Sequence, residues 1–154
     1  MANHPGVRGY DAGKKIRGRK RHLVVDTLGL LLGVVVTAAS LSDRAGALEV
    51  LPEILRTQPR LEVLWADAGY AGGTLPEDLR AHAAHRALRL EIIKRSDPAH
   101  KGFVVQPKRW IVERTFGWLM QARRLARDYE TKTASSEAMI LAQASRIMLR
   151  RLAK

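Results

Sequence analysis

The chain has no cysteine, which excludes a disulfide scaffold, a cysteine-ligated zinc site, an iron–sulfur cluster and a thiol nucleophile. It also lacks any apolar run near the roughly 18 residues that a transmembrane helix needs. The opening Met-Ala-Asn-His-Pro-Gly carries no apolar segment of a secretory signal, so a cytoplasmic protein without a membrane partner is expected. Neither a P-loop nor a dinucleotide-binding glycine fingerprint occurs. Acidic residues are scarce, 15 against 27 Lys plus Arg in 154 residues, for a net charge of +12. Such an excess favours an anionic partner, most often nucleic acid. The hydrophobic share of 46% is ordinary, and the length suits one domain that buries roughly 70% of its unfolded surface.

What is present reads as alternating elements. Six of the eight residues from Lys14 to Arg21 are basic, and residues 1–21 are expected to form an irregular basic arm. His22–Asp26 and Leu30–Ala39 read as an antiparallel hairpin turned by Asp26-Thr27-Leu28-Gly29. Ser42-Asp43 offers an N-cap to a helix over 44–56. A strand over 61–67 runs into the turn from Ala68 to Gly73, and a helix follows over 76–86. A strand over 88–94, a loop over 95–107, a helix over 108–126 and a last helix over 135–152 complete the order. The last helix shows Ala138, Leu141, Ala142, Ser145, Leu149 and Leu152 at helical spacing. A hairpin followed by alternating α and β predicts a mixed sheet with helices packed on it.

Two carboxylates and the basic run are candidates for chemistry. Asp67 falls at the carboxyl end of an apolar strand, where α/β sheets gather their ligand sites; an Asp there also caps turns. Glu113 lies at the edge of the apolar arc formed by Ile111, Val112, Thr115, Phe116, Trp118 and Leu119. It could meet a metal, or pair with Arg109 one turn earlier, a surface contact of about 0.3–0.5 kcal/mol. Two-metal phosphodiester chemistry would unite such features, because Mg²⁺ prefers carboxylate oxygens and Lys and Arg hold the phosphates. His82 and His85, three apart on a helix without a further ligand, read as surface residues, and Trp65, Trp110 and Trp118 as core or half-buried aromatics.

Three stretches together resemble one family. They are Gly9-Tyr10-Asp11-Ala12-Gly13-Lys14-Lys15 running through Gly18-Arg19-Lys20-Arg21-His22 to Val25-Asp26-Thr27-Leu28-Gly29; Trp65-Ala66-Asp67-Ala68-Gly69-Tyr70-Ala71-Gly72; and Arg109-Trp110-Ile111-Val112-Glu113-Arg114-Thr115-Phe116-Gly117-Trp118-Leu119, followed by Arg123-Arg124-Leu125 and Asp128-Tyr129-Glu130. In this order they resemble bacterial insertion-sequence transposases of the DDE type, of the family named after insertion sequence five. The resemblance implies an α/β fold with a ribonuclease-H-like mixed sheet flanked by helices. It implies metal-dependent cleavage and strand transfer of DNA, with Asp67 and Glu113 as catalytic ligands of Mg²⁺ or Mn²⁺. Arg109 stands four residues before Glu113, as in the family's signature, while Gln106 and Met120 depart from it.

The family's first aspartate lies on a strand ahead of the Gly-Tyr-Asp-Ala-Gly-Lys-Lys segment, and Asp11 is not placed to replace it. The chain therefore reads as a basic arm (1–21) and a partial catalytic domain (22–154) lacking its first, central strand and inactive alone. Loss of that strand would leave the strands at 22–26 and 61–66 with unpaired edges. DNA, both element ends and target, is the expected partner, through Lys14, Lys15, Arg17, Arg19, Lys20, Arg21, Arg109 and Arg114; by analogy a homodimer is the expected assembly. The alternatives are a non-enzymatic DNA-binding protein derived from a transposase and a basic RNA-associated protein.

Overall fold

The computed structural model describes residues 8–72, 75–82, 88–93 and 108–153. The expected loop over 95–107, with Gln106, and His85 and Gly73 lie outside them. The order is β1 (Gly9–Asp11), β2 (Ile16–Val25), β3 (Leu31–Ala38), α1 (Asp43–Thr57), β4 (Val63–Asp67), α2 (Leu75–His82), β5 (Arg89–Ile93), α3 (Arg109–Met120) and α4 (Thr133–Leu152). Short 3₁₀ turns cover Ala68–Tyr70 and Arg123–Leu125. The chain is thus mixed α/β. No helix among the described residues is long and apolar enough to cross a membrane.

One expectation is corrected. Residues 1–7 of the expected arm lie outside the described residues, and from Gly9 onward the segment before His22 is not irregular. Residues 9–11 pair antiparallel with 16–18 as a ribbon, and β2 continues without a break to Val25. Its basic residues alternate between faces, a period-two pattern that each face satisfies with its own partners. Lys20, His22 and Val24 turn toward α1, where Lys20 pairs with Asp43 and His22 abuts Gly46. Arg19, Arg21 and Leu23 turn the other way, toward the segment 125–131 and α4. The strands fall into two sheets among the described residues, an antiparallel β1-β2-β3 and a parallel β4-β5, and β2 and β4, the strands expected to carry unpaired edges, do not pair with each other.

Helix α1 joins them. Ser42 caps it by accepting the Ala45 N–H, and its Ala47, Val50, Leu51, Ile54 and Leu55 are buried. That face packs against Val24 and Val35 of one sheet and Leu64 and Leu90 of the other. On the opposite face of the antiparallel sheet, Leu119, Leu125, Ile140 and Ala144 enclose Val36, Val34, Leu31 and Leu23. Glu137 of α4 accepts the Val36 N–H at 2.8 Å, which guards the outer edge of β3. Helix α4 buries Thr133, Ser136, Ile140 and Ala144. The stripe from Ala138 to Leu152 that the sequence shows at helical spacing faces solvent, with Leu149 65% and Leu152 83% exposed. Both faces of α4 satisfy helical spacing, and packing against β3 selects the other one.

His22 is 4% exposed, and its Nε2 shares a 2.8 Å hydrogen bond with Thr37 Oγ1, which also reaches the Ala38 carbonyl oxygen. Burial lowers its pKa below the ordinary 6.5, against Asp43, which raises it, while Lys20 lowers it further. The folded state thus prefers neutral His22. Its stabilising share is complete above pH 6.5 and is lost as pH falls from there through the lowered folded value. Thermal melts at stepped pH should show this fall in the wild type and a shallower one in His22→Gln. Gly46 leaves no room for a methyl group because the imidazole lies directly against it. Gly46→Ala should therefore cost about 1–3 kcal/mol through overpacking, despite alanine's better helix propensity. Urea denaturation would read this loss; an unchanged midpoint would contradict the contact.

Candidate metal and nucleic-acid sites

Asp67 ends β4 and is exposed. Its Oδ1 accepts the Gly69 N–H at 2.9 Å and so caps the 3₁₀ turn 68–70. Capping and chemistry are compatible, since that bond engages one carboxylate oxygen. Two residues earlier on the same face of the strand, Trp65 donates to Glu91 at 2.7 Å. The ammonium of Lys108, the residue preceding α3, sits 3.3 Å from the centre of the Trp65 ring. The Lys108 head group thus lies on the Trp65 side chain, two residues before Asp67. Lys108 takes a left-handed backbone, φ 69°, as the chain turns into the helix.

Glu113 follows one turn into α3. Its side chain is 63% exposed and accepts from Arg109 Nε at 2.9 Å. The surface ion pair expected as one alternative is present, and exposure keeps it weak. A third carboxylate, Asp43, was legible only as a helix-start residue. A Cβ at Gly69 would lie 3.1 Å from Asp43 Oδ2 and 3.1 Å from Asp67 Oδ1, so both carboxylates close on this one glycine. They lie near the Tyr70 hydroxyl too, which burial, then Asp43, then Asp67 push up to about 12. Asp43 also pairs with Lys20 at 3.2 Å, and Lys20 reaches Asp11 at 3.6 Å. Among the described residues no group of three or more His, Asp or Glu is arranged to hold a metal ion. Asp67 and Glu113 are hard-oxygen donors open to solvent, which suits Mg²⁺, but they do not close a cage.

The eight basic candidates divide sharply. Arg19, whose side chain is 3% exposed, bonds Asp128 at 3.1 Å and the carbonyls of Glu130 and Thr131. Lys20 is held by Asp11, Asp43 and the Leu41 carbonyl. Arg21 donates to the Leu125 carbonyl at 2.9 Å, and Arg109 engages Glu113. Arg114 lies between Trp110 and Trp118, its guanidinium carbon 4.4 and 4.6 Å from the two ring centres, and donates to the Leu28 carbonyl at 2.7 Å. Its neighbour Thr115 donates to the Gly29 carbonyl at 2.7 Å. Gly29 adopts φ 78°, and Asp26 Oδ1 accepts the N–H groups of Leu28 and Leu30. The motif around Glu113 therefore clamps the hairpin turn at Asp26–Gly29. Lys14, Lys15 and Arg17 are exposed.

An α/β chain with a carboxylate at a strand end, a second on a following helix and a strongly basic ribbon has the features of a DNA-processing domain. Residues 2–148 match the family model described as Transposase DDE domain. The chain belongs to that family, and with it to the insertion-sequence transposases of the DDE type. A Burkholderia cepacia protein described as a candidate transposase for insertion sequence element IS402 is 33% identical over 122 residues, 75% of this chain and 55% of the relative. The chain thus spans just over half the length of that curated relative. No solved structure matches it.

Proposed function

We propose that the chain is the part of a DDE transposase that supplies Asp67 and Glu113 as metal-binding catalytic carboxylates for DNA cleavage and strand transfer. The observation that carries this reading is the Lys108–Trp65 stack, which places the residue preceding the helix of Glu113 on the side chain two residues before Asp67. Divalent metal ions serve this domain family generally. Bound Mg²⁺ or Mn²⁺ would activate the attacking oxygen and stabilise the leaving one. Asp67 would offer the oxygen not engaged by Gly69, and Glu113 would exchange its weak pair with Arg109 for the metal. The fold is read as ribonuclease-H-like within the insertion-sequence-five branch. In that order one further strand lies between β2 and β4, merges the two sheets and brings a third carboxylate.

Lys14, Lys15 and Arg17 are proposed to hold the DNA backbone, whereas Arg19, Lys20, Arg21 and Arg114 act through the fold that presents them. A homodimer at element ends in the cytoplasm fits this role. A second reading, a non-enzymatic DNA-binding protein, is favoured by the absence of a three-ligand cluster among the described residues. Cleavage of end-bearing DNA by the whole transposase separates the two. Asp67→Asn should abolish metal-dependent cleavage while leaving DNA binding intact; equal cleavage would overturn the proposal.

A further inference from the structure

Within the DNA-processing reading above, we infer that the tip of the β1–β2 ribbon enters the major groove of duplex DNA and touches base and sugar edges through Tyr10 and Ile16. Tyr10 pairs across the ribbon with Arg17, and Asp11 with Ile16. The two pairs therefore face opposite sides, and Tyr10 is 56% and Ile16 57% exposed. Each face of the tip thus carries one large side chain more than half exposed. β3 pairs with β2 only from Arg19 onward, so the ribbon extends beyond the three-stranded part of its sheet. A two-stranded ribbon holding a large apolar side chain in water on each face is suited to a partner that contacts both faces at once.

The tip is built before any partner arrives. Asp11 Oδ1 accepts the Lys14 N–H at 3.0 Å, Lys15 takes φ 55°, and Lys20 ties Asp11 to the strand below. At the root, Gly9 lies so close to Ser40 that a methyl group could not be added. Charge is sorted along the same strand. The inner cations Arg19, Lys20 and Arg21 are bonded to the protein, whereas Lys14, Lys15 and Arg17 are exposed and no ion pair among the described residues engages them. The tip's one carboxylate, Asp11, is occupied by the turn and Lys20. A positive, apolar-faced ribbon matches the major groove of B-form DNA, which is about 12 Å wide and admits two strands. The deep, narrow major groove of A-form RNA excludes it.

Fluorescence anisotropy of the full chain with a labelled DNA duplex, and with an RNA duplex of the same sequence, tests this across a series of salt concentrations. Lys14→Ala/Lys15→Ala/Arg17→Ala together should flatten the slope of log K against log salt by about 2–3. Ile16→Ser should weaken DNA binding about tenfold with the slope unchanged, and leave RNA binding where it was. Both sites are exposed, so melting temperatures should not move. An Ile16→Ser chain that binds DNA as the parent does, or loses DNA and RNA equally, overturns groove entry. DNA binding whose slope ignores the triple substitution overturns the ribbon as the interface. Absence of any duplex binding overturns the DNA reading itself along with the ribbon. None of these outcomes depends on whether Asp67 and Glu113 bind metal.

Discussion

Arg114→Ala should destabilise the chain by about 2–4 kcal/mol, measured as a shift of the urea midpoint at constant slope. Three contacts disappear together. The charged hydrogen bond to the Leu28 carbonyl, 2.7 Å, is worth about 1.5–3 kcal/mol. The stacks on Trp110 and Trp118 add about 0.5–1 kcal/mol each at a partly exposed site. The hairpin turn at Gly29 then keeps the Thr115 hydrogen bond and the close approach of Trp118 to hold it to α3. Arg114→Lys should recover only part of the loss, because an ammonium cannot lie flat between two indoles. A midpoint unchanged in Arg114→Ala would show that the turn needs no clamp. The contrast with Lys15→Ala, which should leave stability unchanged, separates the structural cations from those proposed to face DNA.

In the whole transposase, Asp67→Asn and Glu113→Gln should each lower the Mg²⁺-dependent cleavage rate by more than about 100-fold, since even outer partners of a metal ligand cost 10–100-fold. Both replacements keep shape and hydrogen-bonding capacity while removing the charge that a hard cation needs. Asp67→Asn retains an oxygen for the Gly69 N–H, and Glu113→Gln gives up only an exposed pair with Arg109. Melting temperatures should therefore move little, which ties the lost rate to the metal. If Glu113→Gln cleaves like the parent while Asp67→Asn does not, the helix carboxylate has been misassigned.

Local features were legible in the sequence. The turn of Asp26 to Gly29 and the Ser42 cap formed as expected because each rests on bonds to neighbours a few residues away. Features set by distant contacts were not. Arg19 meets Asp128 across 109 positions, Arg21 meets Leu125 across 104 and Arg114 meets Leu28 across 86. A run of charges therefore looked like an irregular basic arm where all of it from Ile16 onward is a sheet strand. Asp43 escaped notice beside Asp67 for the same reason. The capping role of Ser42-Asp43 explained its presence without Gly69, and only the folded chain brings the two carboxylates to one glycine. On α4 the ambiguity was of another kind, since two apolar faces fit one period and only packing on β3 distinguishes them.

Asp67 and Glu113 are proposed as carboxylates of one divalent-metal site. The most direct test is to titrate Mn²⁺ into the isotope-labelled chain and follow paramagnetic broadening of its backbone amides. Amides near Gly69 and near Glu113 should broaden together at the same Mn²⁺ concentration, and Asp67→Asn or Glu113→Gln should remove both effects. Broadening at one location alone, or broadening at both that survives Asp67→Asn, would contradict a shared site.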